Sequence, residues 1–173
     1  GAGVAIALCV PAYTAGPYPL AYRGWGDVCV LLFYGVIPVC LTYYVQAGTV
    51  TATTAWISVA LGLLSVNILL VNNVRDQEQD AAAGKRTTVV RFGRRFGTTL
   101  YLVCAVLAVA CSWPAYFYRG AYTWLLFLIF LAFELVTWHD LRRLSGSDLN
   151  RVLGLTARNI WIYTLLLVSL LVF

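Results

Sequence analysis

Five apolar runs of membrane-crossing length constrain this chain more than anything else in it. They are Val28–Ala47, Ala52–Val71, Thr98–Tyr118, Tyr122–Trp138 and roughly Leu155–Phe173. Each holds about 17–21 residues, and a helix rising about 1.5 Å per residue needs about 20 to cross a hydrocarbon core about 30 Å thick. A sixth run, Gly1–Ala12, is too short to cross. The chain has no Met and enters that run directly, so it reads as a fragment opening part-way through a helix. Backbone polar groups in lipid must bond within their own segment, which selects helices over open strands. The expected fold is an all-α integral membrane protein, a multi-helix transmembrane bundle.

Composition agrees. Only 11% of the residues are charged and 61% are hydrophobic, whereas a soluble domain carries about 25% charged residues. The net charge of +5 reads as membrane orientation and not as nucleic-acid binding, because the basic residues cluster between apolar runs. Of the 12 Lys and Arg residues, only Arg119 lies on the second side. The other side carries Arg23, then Arg75, Lys85, Arg86, Arg91, Arg94 and Arg95, then Arg142, Arg143, Arg151 and Arg158. That side is expected to face the cytoplasm, in a multi-pass protein of the cell inner membrane. The cysteines (Cys9, Cys29, Cys40, Cys104, Cys111) all lie in apolar runs without metal-ligand spacing and read as small hydrophobes.

The chemistry gathers in one water-facing stretch, Asn72–Gly97. Its informative string is Asn72-Asn73-Val74-Arg75-Asp76-Gln77-Glu78-Gln79-Asp80, followed by Ala81-Ala82-Ala83-Gly84-Lys85-Arg86-Thr87. Continued as a helix, it sets Asn72, Asp76 and Asp80 on one stripe, spaced about 6 Å along the axis, with Glu78 about 160° away. Asn67 and Asn73 are read as lying near the stripe. Two carboxylates one turn apart repel, and a divalent cation removes the repulsion. Mg²⁺ takes hard oxygen ligands, one or two carboxylates plus phosphate oxygens. The expected metal ligands are Asp76, Asp80 and Asn72, with Arg75, Lys85 and Arg86 on phosphate. A generic DxxxD is more often a solvated helix end; three amides at the end of a membrane helix shift the balance toward a site. Gly84-Lys85 is not part of a phosphate-binding P-loop, since positions 79 and 86 are Gln79 and Arg86.

A second string, Tyr13 to Asp27, is broken by Pro and Gly and rich in Tyr. Its aromatics suit a membrane interface. They equally suit a developing carbocation, with Arg23 on phosphate and Tyr18 and Tyr22 nearby. Glu134 lies inside an apolar run and has two readings, a basic partner in the bundle or a substrate contact. His139, beside Asp140, reads as interfacial.

The strings NNVRDQEQDAAAGKRTTVVRFG (72–93) and YTAGPYPLAYRGWGD (13–27), followed by TYYVQ (42–46), resemble the UbiA superfamily of intramembrane aromatic prenyltransferases, and most closely its menaquinone branch. The resemblance implies one transmembrane domain over residues 1–173, matching the fourth to ninth of nine helices. It implies a cytoplasmic-side cavity and Mg²⁺ at Asp76 and Asp80, the family's second acidic motif. It places Arg23 as a catalytic diphosphate contact and Asn72, Asn73, Arg75, Lys85, Arg86, Tyr18 and Tyr22 around the substrate. The implied partners are the lipid bilayer, a polyprenyl diphosphate and an aromatic acceptor, 1,4-dihydroxy-2-naphthoate, with loss of CO₂ and formation of demethylmenaquinone. The family's first acidic motif is absent from these 173 residues. Two alternatives stay open: another aromatic acceptor, or a transporter or non-catalytic membrane subunit. The last predicts polar stripes running through several helices.

Overall fold

The computed structural model describes residues 24–120 and 123–172. The run Gly1–Ala12, Cys9, Tyr18, Tyr22 and Arg23 lie outside the described residues. Every regular element among the described residues is helical.

The first helix, α1, runs Gly26–Ala47 and is widened to a π-turn over Leu31–Val36. Pro38 sits just after that turn. Its ring cannot donate to the Tyr34 carbonyl and would collide with it in a regular helix, so the preceding turn opens. Gly48 at φ 68 ends α1, its N–H returning to the Tyr44 carbonyl. Thr51 caps α2, Ala52–Arg75, by accepting from the Thr54 N–H at 3.1 Å. Two short helices follow, α3 (Gln77–Ala82) and α4 (Thr88–Phe92). Next come α5 (Arg94–Cys111) and α6 (Trp113–Arg119), then α7 (Thr123–Arg143) and α8 (Leu149–Val172). Pro114 explains the α5–α6 break at Ser112, because it removes an intrahelical donor.

The helix ends differ from the apolar runs. The helix from Ala52, read as continuing past Val71 through Asp80, ends at Arg75, Tyr122–Trp138 becomes Thr123–Arg143, and the last helix starts at Leu149, ahead of its apolar run from Leu155. Arg, Asn and Asp end an apolar run without ending a helix, and tertiary contacts carry the helices onward.

α2 is the hub, packed on α1, α5 and α8, while α7 lies against α5 and α8. Four described segments are long and apolar enough to cross a membrane: Gly26–Ala47, Ala52–Arg75, Arg94–Phe117 and Gly146–Leu171. α1 and α2 touch backbone to backbone, since a Cβ on Gly35 would stand 2.2 Å from the Gly62 Cα. Small residues let helices approach in this way where lipid supplies no hydrophobic drive.

The charged helix ends meet at one end of the bundle. Arg75 at the end of α2 reaches Asn150 at the start of α8 (2.7 Å). Arg94 donates to the Leu141 carbonyl (2.8 Å) and the Leu144 carbonyl, satisfying the C-terminal end of α7. Beneath them sits a core of Val71, Val74, Val89, Tyr101, Leu141, Leu149 and Val152. A second core, with Ala60, Leu64, Phe127, Phe130 and Tyr163, fills the far end.

Candidate active site

Asp76 falls at the junction of α2 and α3, with φ −97 and ψ 12, outside the regular helix. Two helical bonds survive across the junction: Asp76 N–H to the Asn72 carbonyl and Asp80 N–H to the Asp76 carbonyl, both 2.8 Å. Asn72, Asp76 and Asp80 therefore still follow one another turn by turn, but on a bent axis and not the continuous helix read from the sequence. The bend accompanies a neighbour contact. Arg75 Nε bonds Asp76 Oδ1 at 2.7 Å, and the same guanidinium bonds Oδ2 at 2.8 Å. Adjacent side chains on a regular helix point about 100° apart and do not meet. The grip of Arg75, by its hydrogen bonds first and its charge second, holds the Asp76 carboxyl below the usual carboxylate range.

Asp80 is held differently. The chain leaves α3 through Gly84 at φ 74, with Lys85 N–H bonded to the Asp80 carbonyl (2.9 Å) and Gly84 N–H to the Ala81 carbonyl (3.1 Å). That pair of bonds is a Schellman turn, which needs a left-handed residue at this position. It folds Lys85 back over its own helix, and Lys85 Nζ reaches Asp80 Oδ1 at 2.7 Å. A Cβ on Gly84 would meet nothing within 4 Å, so Gly84→Ala strains only the backbone. The expected cost is about 1–2 kcal/mol. It should appear as a lower thermal midpoint and a loosened Lys85, read as faster trypsin cleavage after Lys85. An unchanged midpoint and cleavage rate would show that the turn does not hold Lys85.

The two carboxylates thus each carry a cation of their own. Asp76 is 32% exposed at its side chain and Asp80 10%, so Asp76 is the more open of the pair. Asn72 is half-buried, Asn73 buried and Arg86 exposed. Among the described residues, no three His, Cys, Asp or Glu side chains group as a metal cage.

Two readings change, and Glu134 gains its surroundings. Asn67 does not belong with the stripe: nine residues at about 100° each put it about half a turn from Asp76. It is wholly buried, with neither amide atom hydrogen-bonded. Arg75, expected on phosphate, spends three of its donors on Asp76 and Asn150. Glu134 is fully buried beside Tyr101 and Asn159, without a hydrogen bond to its carboxylate oxygens. Around it, Tyr101 bonds Thr156 (3.1 Å) and Asn159 bonds Thr137 (2.9 Å). His139 is exposed, as read. Asn150 is the residue that sequence reasoning missed, and no local signal marks it, because its partner lies 75 positions away.

A multi-pass helical membrane bundle with paired, cation-matched carboxylates at one end defines the general class. The UbiA prenyltransferase family model matches residues 1–163, and the chain belongs to that family. Among its relatives, the 1,4-dihydroxy-2-naphthoate octaprenyltransferase of Haemophilus influenzae is 35% identical over 139 residues, covering 80% of this chain and 45% of that protein. The Escherichia coli protein of the same name is 40% identical over 102 residues, covering 55% of this chain and 33% of that protein. The human UbiA prenyltransferase domain-containing protein 1 is 32% identical over 108 residues, covering 58% and 32%. The chain's matches cover from about a third to a little under half of the length of these curated relatives. No solved structure matches it significantly.

Proposed function

We propose that the complete protein transfers a polyprenyl group from polyprenyl diphosphate to 1,4-dihydroxy-2-naphthoate, at a site that includes Asp76 and Asp80. The observation carrying this reading is the Asp76–Asp80 pair, one turn apart at the charged end of a membrane bundle, each carboxylate matched by its own cation. The names of the bacterial relatives support the choice of acceptor.

The donor set fits Mg²⁺. Asp76, Asp80 and Asn72 offer hard oxygens, and two carboxylates are the number Mg²⁺ commonly takes from a protein when water and phosphate oxygens complete its shell. When bound, Mg²⁺ would neutralise charge on the leaving diphosphate. Lys85 and Arg86 would meet the remaining phosphate oxygens, adding electrostatic stabilisation where charge develops. Arg23, with Tyr18 and Tyr22, belongs to the same proposed site. The prenyl C–O bond breaks and diphosphate keeps the electron pair. The naphthoate ring carbon bearing the carboxylate forms the new C–C bond. CO₂ then departs and returns its bonding electrons to the ring, leaving the quinol of demethylmenaquinone. No side-chain nucleophile is required. The site would open to the cytoplasm from the inner membrane, following the basic-residue bias.

The test uses the complete protein in lipid, with polyprenyl diphosphate and a panel of aromatic acceptors. The expected result is transfer to 1,4-dihydroxy-2-naphthoate, with CO₂ and diphosphate released one for one and activity lost on chelation. Preference for 4-hydroxybenzoate, or turnover that persists in chelator, would overturn the reading.

A further inference from the structure

The proposed site depends on a contact that only the tertiary fold makes. Arg75 holds Asp76 through two parallel bonds, and the remaining end of its guanidinium donates to Asn150 Oδ1 at 2.7 Å. Arg has no acceptor, so the amide oxygen of Asn150 must face it. Asn150 is the second residue of α8, entered through the short 3₁₀ turn Gly146–Asp148. Its position is fixed from both sides. Leu149 and Val152 are fully buried in the core that also holds Val71 and Val74 of α2. Arg94 ties down the carbonyls of Leu141 and Leu144 just before the turn. The chain Asn150–Arg75–Asp76 therefore sets the plane of a guanidinium on a bent helix end, and through it the orientation of one carboxylate.

We propose that Asn150 is a positioning residue for the diphosphate–metal site, aiming the Asp76 carboxylate through Arg75 without touching the substrate. The inference rests on the proposed function and deepens it. It also reassigns Arg75 from a phosphate contact to the holder of a carboxylate. An exposed Asn on a loop-to-helix junction has no other evident work: Asn150 is solvent-facing, so its truncation leaves no buried void.

The experiment uses the complete protein in detergent, with Mn²⁺ plus inorganic diphosphate as probes and free Mn²⁺ followed by electron paramagnetic resonance. Asn150→Ala should weaken Mn²⁺ binding in the presence of diphosphate about tenfold, the scale of one hydrogen bond to a charged group. Asn150→Asp keeps the acceptor and should retain binding. In an Arg75→Lys background, which lacks the planar fork, Asn150→Ala should add nothing, as expected for residues acting through one another. The thermal midpoint should stay unchanged in Asn150→Ala. Wild-type protein that binds while Asn150→Ala binds equally well would overturn this inference alone. The same holds for an Asn150→Ala loss that is equal in both backgrounds. Wild-type protein that binds no Mn²⁺ with diphosphate would overturn the proposed function, and this inference with it.

Discussion

Asp76→Asn combined with Asp80→Asn should remove prenyl transfer in the complete protein by on the order of a thousandfold or more, the scale seen when preorganised charge at a reacting centre is lost. The amides keep the size of the carboxyl groups, so the α2–α3 junction and the Schellman turn at Gly84 should survive. What changes is charge. Two anions are lost, while Arg75 and Lys85, now 2.7 Å from those carboxylates, lose those two counter-charges. Their positive charge then attracts diphosphate more strongly, so binding of the prenyl donor should persist. The signature is therefore a fall in kcat at little changed KM, which marks an interaction needed in the transition state. Metal binding in the presence of diphosphate should fall in parallel. Full activity in the double variant would falsify a role for these carboxylates. Loss of donor binding with kcat preserved would instead make them substrate contacts.

The second large effect is structural. Gly35→Ala places a methyl group 2.2 Å from the Gly62 Cα and 2.5 Å from the Gly62 nitrogen. Backbone atoms cannot rotate away as a side chain can, so α1 must move off α2. Overpacking of this kind costs about 1–3 kcal/mol, or more where the backbone must shift. Only Cys29 and Gly35 are buried along α1, with Val30 and Leu31 partly buried against the core, so its seat on α2 is built around the Gly35–Gly62 crossing. Its register on α2 should therefore be lost, and not merely strained. The expected readouts are a thermal midpoint lowered by several degrees and a sharp drop in folded yield from membranes. Gly62→Ala should behave alike, because its Cβ would lie 2.6 Å from the Leu31 carbonyl oxygen. Wild-type midpoints in both would mean that the close crossing does not stabilise the bundle.

The membrane helices were legible because apolar runs of fixed length have few other folded solutions. The residues of α3 read as helical, as a continuation of α2, but the break at Asp76 did not show; α4 was not legible, because five residues leave too little periodicity to read. The carboxylate pair was legible from its spacing. Its immediate counter-ions were only half so. The string Asp80 to Lys85, with Gly84 at the turn, contains everything the Lys85 contact needs, and a reader watching for a Schellman turn could have found it. Asn67, nine residues from Asp76, lies about half a turn off the stripe, and burial shows the consequence: a polar group enclosed in the bundle, not aimed at the site.

The sequence by itself determined that this chain is a helical membrane protein with most of its basic residues and its acidic pair on one side. Those properties follow from hydrophobic length, charge placement and local spacing, which depend on neighbours along the chain. Only the tertiary structure decided that Arg75 is committed to Asp76, that Asn150 supports it from α8, and that Gly35 and Gly62 set the approach of α1 to α2. Each joins groups from 1 to 75 positions apart. Whether such groups meet depends on how helices pack and where one bends, and no local pattern carries that information.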